Sequence, residues 1–200
     1  MDNAGSGSRA QRDPIDLVRA AEYGLLAELL GRAPDRARLA SLSRLSGDDT
    51  PIGAAHRALA KAAAAADPDA IEREFFGLFI GVGRGELLPY ASFYMTGFLN
   101  ERPLAAVRSD LKALGVERAE GLHEPEDHLA ILCDVMAGIA AGRFGDADAE
   151  AAFFARHVEP WAGKFFDDLA QAKAARFYGH VGALGRAFMD IESGAFALPA

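Results

Sequence analysis

The chain has 200 residues, of which 50% are hydrophobic, and its formal net charge is -8 at pH 7. A chain of this length can bury a substantial core, and its apolar content excludes a disordered protein. The acidic balance argues against nucleic acid as the main partner, because phosphate backbones bind to basic surfaces. Many acidic proteins bind nothing basic, so the charge alone identifies no partner.

The N-terminus and the single cysteine indicate a cytoplasmic protein. No apolar run reaches the roughly 20 residues of a membrane span. Residues 1–12 are small and polar and lack the apolar core of a secretory signal. We therefore expect a flexible tail there and one domain over residues 13–200. Cys133 is the only cysteine, which excludes an internal disulfide and fits a reducing compartment.

Helix starts are marked by a repeated pattern, a capping residue followed by proline at the first helical position. The pattern occurs at Asp13-Pro14, Thr50-Pro51 and Asp67-Pro68. After the first start, apolar residues recur at three-and-four spacing and predict one buried stripe. Its members are Val18, Ala21, Leu25 and Leu29.

Similar spacing predicts further helices along the rest of the chain. They are expected at residues 39–45, 103–115, 146–156, 160–175 and 176–192. The glycine-rich loop 81–89 is a weak boundary between an N-terminal and a C-terminal helical part. No segment of useful length alternates with period two, so the sequence predicts an all-α, single-domain globular helical bundle.

Residues 121–128 place acidic groups and histidines directly before an apolar, helix-like stretch. Pro125 suits the first turn of a helix, so a central helix is predicted from about Pro125 to Ala141. The carboxylates of Glu124, Glu126 and Asp127 would then lie near the positive end of the helix dipole. One buried stripe is expected to follow, formed by Leu129, Leu132, Met136 and Ile139.

Metal-ligand residue types occur around this start. They are His123, Glu124, Asp127, His128 and, further along, His157. His123 and His128 are five residues apart, a spacing that does not place both on one helix face. The chain has neither an H-E-x-x-H motif nor paired cysteines. We therefore expect no metal site.

Catalysis has similarly weak support. Asp127 stands beside His128, but adjacent residues on a helix point about 100° apart, and no nucleophile motif accompanies them. Gly81, Gly83 and Gly85 form G-x-G-x-G without the Lys and Ser/Thr of a phosphate loop, and they follow a helix-like segment. An interhelix loop is the better interpretation. The residues predict no cofactor and no catalytic site.

Binding is the remaining interpretation. Acidic residues crowd one stretch beside a single basic residue, Arg118; they are Glu117, Glu120, Glu124, Glu126 and Asp127. Carboxylates accept guanidinium groups in a bidentate, oriented way. The aromatic segment 90–94 would supply either core or the wall of an apolar groove for a peptide. A cationic peptide site and a plain solvated acidic face are both open at this point.

Four segments resemble the TorD/DmsD (NarJ-like) family of cytoplasmic chaperones for molybdenum-containing redox enzymes. Residues 124–128 (EPEDH) resemble its E-P-x-D-H motif, and residues 89–94 (PYASFY) resemble its P-Y-x-S-x-Y segment. Residues 75–79 (FFGLF) are similar to its aromatic helix before the glycine loop. Residues 153–161 (FFARHVEPW) resemble its F-x-x-x-H-x-x-P-W stretch. The four segments occur in the family's order, and the resemblance covers about residues 15–192.

The resemblance implies an all-helical TorD-like fold without catalysis. Members bind the twin-arginine signal peptide of a partner apoenzyme until the molybdopterin cofactor is inserted, and so prevent premature export. The peptide-binding residues carried over by this resemblance are Glu124, Asp127, His128, Tyr90, Ser92 and Tyr94. Glu124 and Asp127 are the expected arginine contacts. The alternative is that Pro125 and Asp127 only shape the loop and cap the central helix.

The implied client is a molybdopterin oxidoreductase of the formate dehydrogenase or dimethyl-sulfoxide/trimethylamine-oxide reductase type. One alternative is a NarJ-like chaperone for a molybdoenzyme subunit that is not exported. Another, from a different class, is a hydrolase that uses Asp127 and His128. The sequence leaves open whether the chain is a monomer or a homodimer, and whether it binds guanine nucleotide.

Overall fold

The structure, a computed structural model, describes residues 13–118, 121 and 123–198. Its α-helices are α1 Pro14–Gly31, α2 Arg36–Leu42, α3 Pro51–Ala64, α4 Pro68–Phe75, α5 Ala91–Thr96, α6 Arg102–Ala113, α7 Leu129–Ala140, α8 Ala147–Phe153, α9 Ala162–Gln171 and α10 Phe177–Phe196. The described residues include no β-strand, and the all-α prediction is confirmed. None of the described helices has the length and apolar character needed to cross a membrane. The predicted tail at residues 1–12 lies outside the described ranges.

The three predicted cap-and-proline starts are confirmed. The Asp13 carboxylate accepts a hydrogen bond from the Ile15 amide at 2.8 Å. Thr50 and Asp67 cap α3 and α4 in the same way. These side chains satisfy amide groups that have no partner within the helix. Both α4 and α8 continue directly into a π-helical turn, at Phe76–Ile80 and Phe154–Val158.

The central helix α7 begins later than predicted. Its first residue is Leu129, and His128 is the N-cap, whose Nδ1 accepts the Ala130 amide at 3.1 Å. Pro125 lies outside the helix in a turn, where its carbonyl accepts the His128 amide at 3.0 Å. The three carboxylates therefore precede the helix. The prediction failed because residues 127–129 bond to another segment of the chain, which sequence-local signals do not reveal.

Helix α7 is buried on almost every side. Ten of its 12 residues are buried, and only Ile131 and Asp134 reach solvent appreciably. The predicted stripe is fully buried but is only part of the buried surface. A helix that is apolar all round occupies the interior of a protein. Helix α1 packs along it, while α10 packs against α9 and α3.

The predicted stripe of α1 is only half right. Leu25 and Leu29 are buried, but Val18 is 69% exposed and Ala21 is also exposed. At this end of α1 the inward position belongs to Arg19, whose guanidinium reaches the buried carboxylates of Glu192 and Glu150 at 2.7 Å each. A charged residue that faces inward reverses the pattern that apolar spacing assumes.

This buried ion cluster is well satisfied. The Tyr23 hydroxyl also donates to Glu192, at 2.8 Å. Burial raises the pKa of the Glu150 carboxyl, and the nearby Arg19 opposes that shift. Loss of one partner from such a cluster leaves an uncompensated charge in a poorly solvated position. The cluster therefore joins α1, α8 and α10 at one end of the molecule.

Glycine allows α9 and α10 to approach closely. A Cβ placed on Gly182 would lie 2.5 Å from the Ala170 amide nitrogen and 2.9 Å from the Phe166 carbonyl oxygen. These are backbone atoms, so the two helices would have to separate. A Cβ on Gly194, near the end of the same helix, would meet nothing within 4 Å.

We expect Gly182→Ala to lower the free energy of unfolding by about 1–3 kcal/mol, because overpacking at a backbone contact forces the helices apart. Gly194→Ala is the matched control and should raise it by about 0.5–1 kcal/mol through helix propensity. Urea unfolding followed by circular dichroism measures both. Equal effects of the two substitutions would contradict a close approach at Gly182.

Candidate functional site

Two segments that are distant in the sequence lie side by side at the start of α7. The Ala91 amide donates to the Asp127 carbonyl at 3.0 Å, and the Leu129 amide donates to the Pro89 carbonyl at 2.8 Å. These bonds form an antiparallel bridge between Tyr90 and His128. We call residues 89–92 and 124–129 together the junction. It brings together the two motif segments that suggested a peptide site.

Asp127 is the buried centre of the junction. The residue is 1% exposed, and its Oδ2 accepts the amide of Ser92 at 2.8 Å. Ser92 is fully buried, and its hydroxyl oxygen accepts the amide of Glu101 at 3.2 Å, just before α6. Asp127 thus caps α5 and, through Ser92, fixes the start of α6. Its side chain does not lie on the surface as an arginine contact would.

His128 is also enclosed by the junction. It is 6% exposed, and the Tyr90 ring stands edge-on to its imidazole with centroids 5.0 Å apart. Burial lowers the pKa of His128 to about 4, although Glu124 and Asp127 favour its charged form. The imidazole is therefore neutral at pH 7. Neutrality is required for its cap, because Nδ1 can accept the Ala130 amide only when it carries no proton.

Three of the six predicted site residues keep polar atoms near solvent. The Tyr90 hydroxyl donates to the carboxylate of the exposed Glu124. Burial and the Glu124 hydrogen bond raise the pKa of Tyr90 well above its usual value. The half-buried Tyr94 donates to Asp168 at 3.0 Å, and its ring packs against Trp161. Burial and the Asp168 hydrogen bond likewise raise the pKa of Tyr94.

Glu126 forms ion pairs with two arginines. Its carboxylate lies 2.8 Å from Arg108 Nε and 3.5 Å from an Arg118 nitrogen. Burial alone would raise the pKa of Glu126, but a backbone hydrogen bond and the two guanidinium groups outweigh it, so the pKa is lowered. Arg118 was expected beside the acidic residues from the sequence, whereas Arg108, which lies 18 positions before Glu126 on α6, was not.

Two grooves flank α6 beside the junction. One has a volume of about 370 Å³ and is mostly apolar; its lining includes Ala91, Met95, Pro103 and Ala106. Met95 in this lining is 46% exposed, and Phe98 and Leu99, which follow it closely in the chain, are 70% and 44% exposed. The other groove, of about 330 Å³, lies between α6 and α7 and includes Glu126.

The other candidate residues are placed separately. His157 is buried and bonds to Asp110 at 2.7 Å, whereas His123 is exposed. The described residues contain no group of three or more side chains arranged to hold a metal ion. The glycine loop is held by Glu86, whose carboxylate accepts hydrogen bonds from the backbone amides of Lys173 and Ala174 at 2.7 and 3.0 Å. Glu120, which belongs to the predicted acidic stretch, lies outside the described residues.

The fold occurs in a solved structure from Archaeoglobus fulgidus that is described as a redox enzyme maturation protein. The superposition has a TM-score of 0.57 and covers 92% of this chain and 99% of that chain, at 15% sequence identity. At this identity the likeness establishes the fold and no more. It defines an all-helical architecture shared with a maturation protein.

A family model described as "Nitrate reductase delta subunit" matches residues 46–167, which is more than half of the chain. The chain belongs to this family, and the resemblance to TorD/DmsD and NarJ-like proteins is thereby confirmed. The matched region runs from before α3 into α9 and includes the whole junction.

Curated relatives carry the name "Chaperone protein TorD". One from Vibrio cholerae is 34% identical over 127 residues, which is 58% of this chain and 58% of its own length. One from Shewanella loihica is 24% identical over 202 residues and covers 90% of this chain and 93% of the relative. The chain therefore spans little more than half the length of the Vibrio relative it matches.

Asp127→Ala should lower the free energy of unfolding by about 2 kcal/mol, because it leaves the buried Ser92 amide without its charged acceptor. Glu124→Ala removes an exposed carboxylate three residues earlier and should change the free energy by less than about 0.5 kcal/mol. Chemical unfolding of both variants at pH 7 tests the contrast. Similar losses would place Asp127 outside the structural role described above.

The depressed pKa of His128 predicts acid sensitivity. Its contribution to stability is complete above the usual histidine pKa of 6.5 and is lost as the pH falls through about 4. Full protonation should cost about 3 kcal/mol. His128→Asn keeps a capping acceptor without titrating, so it should lack this part of the loss. Unfolding free energies measured from pH 7 to pH 4 check the difference; parallel curves would contradict it.

Proposed function

We propose that this chain is a cytoplasmic maturation chaperone that binds the twin-arginine leader of a molybdoenzyme apoprotein and holds it until the cofactor is inserted. The relatives are named as chaperones, in agreement with a protein that binds and does not catalyse. The observation that supports the peptide site is the junction, where the exposed Glu124 carboxylate stands against Tyr90 beside exposed apolar side chains. We propose no cofactor for the chain itself.

A twin-arginine leader and this surface are chemically complementary. The leader has two guanidinium groups followed by an apolar segment. Glu124 supplies a carboxylate that a guanidinium can approach from solvent, and carboxylates bind guanidinium groups in a bidentate way. Met95 lines the groove beside α5 and, with the exposed Phe98 and Leu99 that follow it in the chain, offers apolar area to the rest of the leader. Such an interaction is reversible, as a holding chaperone requires.

The buried members of the predicted set act in this proposal as positioning residues. Asp127, His128 and Ser92 hold the 89–92 segment against the start of α7, and this contact fixes Tyr90 beside Glu124. A direct contact between Asp127 and a client arginine stays as the alternative prediction. It would require the junction to open, at the cost of the Ser92 hydrogen bond.

The expected energies indicate that several kinds of contact contribute to leader binding. One exposed carboxylate–guanidinium pair contributes about 0.2–1 kcal/mol. Burial of apolar surface contributes about 25 cal/mol per Å² before ordering costs. The apolar segment should therefore provide most of the affinity, and the carboxylates should provide the preference for arginine.

A second candidate function is favoured by the description of the family model, which refers to a nitrate reductase subunit. A chaperone of that kind would bind a segment of a non-exported subunit that lacks the arginine pair. The fold and the junction would be the same. The two candidates differ in whether the guanidinium groups of the bound peptide contribute to its affinity.

Calorimetric titration separates these candidates. The titrant is the leader of the molybdoenzyme encoded beside this protein, which we expect to be of the formate dehydrogenase or dimethyl-sulfoxide/trimethylamine-oxide reductase type. A second peptide has both arginines changed to lysine. We expect about tenfold weaker binding of the lysine peptide, because an ammonium group loses the bidentate geometry at each position. Equal affinities would favour the second candidate, and absence of binding by both peptides would contradict the first.

Two variants locate the contact. Glu124→Gln should weaken binding of the arginine peptide about two- to fivefold. Glu72→Gln, an exposed position on α4, makes the same change in net charge and should have a smaller effect. If both variants weaken binding equally, the Glu124 contact is wrong and only long-range attraction operates.

A further inference from the structure

Glu126 already binds two guanidinium groups of its own chain. Arg108 reaches it from α6 at 2.8 Å, and Arg118 reaches it from the following loop at 3.5 Å. A second Arg118 nitrogen donates to the Glu124 carbonyl oxygen at 2.7 Å. Arg108 and Arg118 thus contact the segment of this chain that contains Glu124 and Glu126. A leader's arginine pair is expected to bind at the same place.

The surroundings of Glu126 suit an incoming peptide. Its side chain is only 12% exposed and faces the groove of about 330 Å³ between α6 and α7. The lining of this groove includes the apolar residues Leu111, Val116, Ile131 and Val135. A guanidinium on Glu126 would therefore lie in the same groove as the partly exposed Val116 and Ile131, which offer apolar contact to a neighbouring part of the leader.

We propose that Glu126 is a guanidinium-binding residue for the client leader, and that Arg108 and Arg118 occupy it when no client is bound. This inference rests on the proposed leader binding and adds a residue and a competition to it. The occupants can leave, because the Arg108 and Arg118 side chains are 54% and 35% exposed and reach solvent without unfolding.

An exchange of this kind has a small net cost. A carboxylate that is largely buried pays most of its desolvation in the unbound state, where the internal guanidinium groups compensate it. A client arginine then replaces a group of the same charge and shape. A lysine would replace a planar, bidentate donor with a single ammonium group and should compete less well. The internal pair thereby lowers the affinity of every cationic ligand for Glu126 by the same factor, and the preference for arginine comes from its stronger contact with the carboxylate.

A purely structural cluster makes the opposite prediction. If Glu126 serves only to tie α6 to the loop before α7, removal of its arginines loosens the groove and weakens the binding of any peptide. Competition instead predicts tighter binding when the arginines are removed and weaker binding when the carboxylate is removed. The sign of the arginine effect distinguishes the two roles.

The experiment titrates the full chain with the arginine leader and with its lysine counterpart. Arg108→Gln and Arg118→Gln are tested singly and together, against Arg73→Gln as a control with the same charge change. Arg73 is 71% exposed on α4, and its nearest carboxylate is 3.9 Å away. We expect each single variant to bind the arginine leader about two- to fivefold more tightly than the control, and the double variant more tightly still.

Glu126→Gln completes the test. It should weaken binding of the arginine leader more than Glu72→Gln does and should abolish the gain from Arg118→Gln. Far-ultraviolet circular dichroism melting checks the fold of each variant. If the double variant does not fold, the single variants suffice, because each leaves one arginine on Glu126.

The competition hypothesis is wrong if the Arg108 and Arg118 variants bind the arginine leader no more tightly than Arg73→Gln does. This holds even when the unmodified chain binds the leader well. If neither the unmodified chain nor any variant binds, the proposed function fails, and this inference fails with it. Competition predicts that the arginine and lysine leaders both gain by the same factor; equal affinities of the two leaders for the double variant would overturn the preference for arginine at Glu126.

Discussion

The hydrogen bond between the Ser92 amide and the Asp127 carboxylate joins parts of the chain that are 35 residues apart. Much of the described structure depends on it. It closes the start of α5, and through the Ser92 hydroxyl it fixes the start of α6. It also keeps His128 where its imidazole can cap the central helix. One buried carboxylate therefore sets the relative positions of three helix starts, and the candidate binding surface is the outer side of that arrangement.

Within residues 124–128, some side chains position the backbone and others are available to contact a ligand. In residues 124–128, the buried members face inward and organise the backbone. The exposed Glu124 and the groove-facing Glu126 have carboxylates that a cationic ligand could approach. The division follows from the local backbone: Asp127 and His128 are adjacent and both buried where the segment meets residues 89–92, whereas Glu124 and Glu126 flank Pro125 in the turn before it. A single motif can thus combine a structural and a recognition role without conflict.

The sequence allowed the fold class, the three proline-marked helix starts and the proximity of the two motif segments to be predicted. Local signals were sufficient for the helix starts, because caps and prolines act within one turn. They failed at α7, where long-range hydrogen bonds with Pro89 and Ala91 on either side of His128 accompany its extended conformation outside the helix. They also failed at Val18, because the inward position beside it belongs to Arg19 and its ion cluster.

The candidate site shows the same limit. Family motifs identified which residues belong together, but burial decided which of them reach solvent, and burial is a property of the assembled helices. Arg108 could not be assigned to Glu126 from spacing, since the two are 18 positions apart and lie on different elements. Its exposed position on an amphipathic helix resembles that of any solvated arginine. Only the packing of α6 beside the loop before α7 gives it a partner.

Helices α1 and α10 have a consequence for how this chain can be divided. Both lie outside the region that the family model recognises, yet α1 packs along α7 and α10 packs against α9 and α3. A fragment cut at the limits of family similarity would expose the side of α7 that α1 covers, including apolar side chains that are fully buried in the whole protein. Such a fragment would expose an aggregation-prone apolar face to solvent. The limits of the family model are therefore not limits at which the polypeptide can be cut without exposing part of its core.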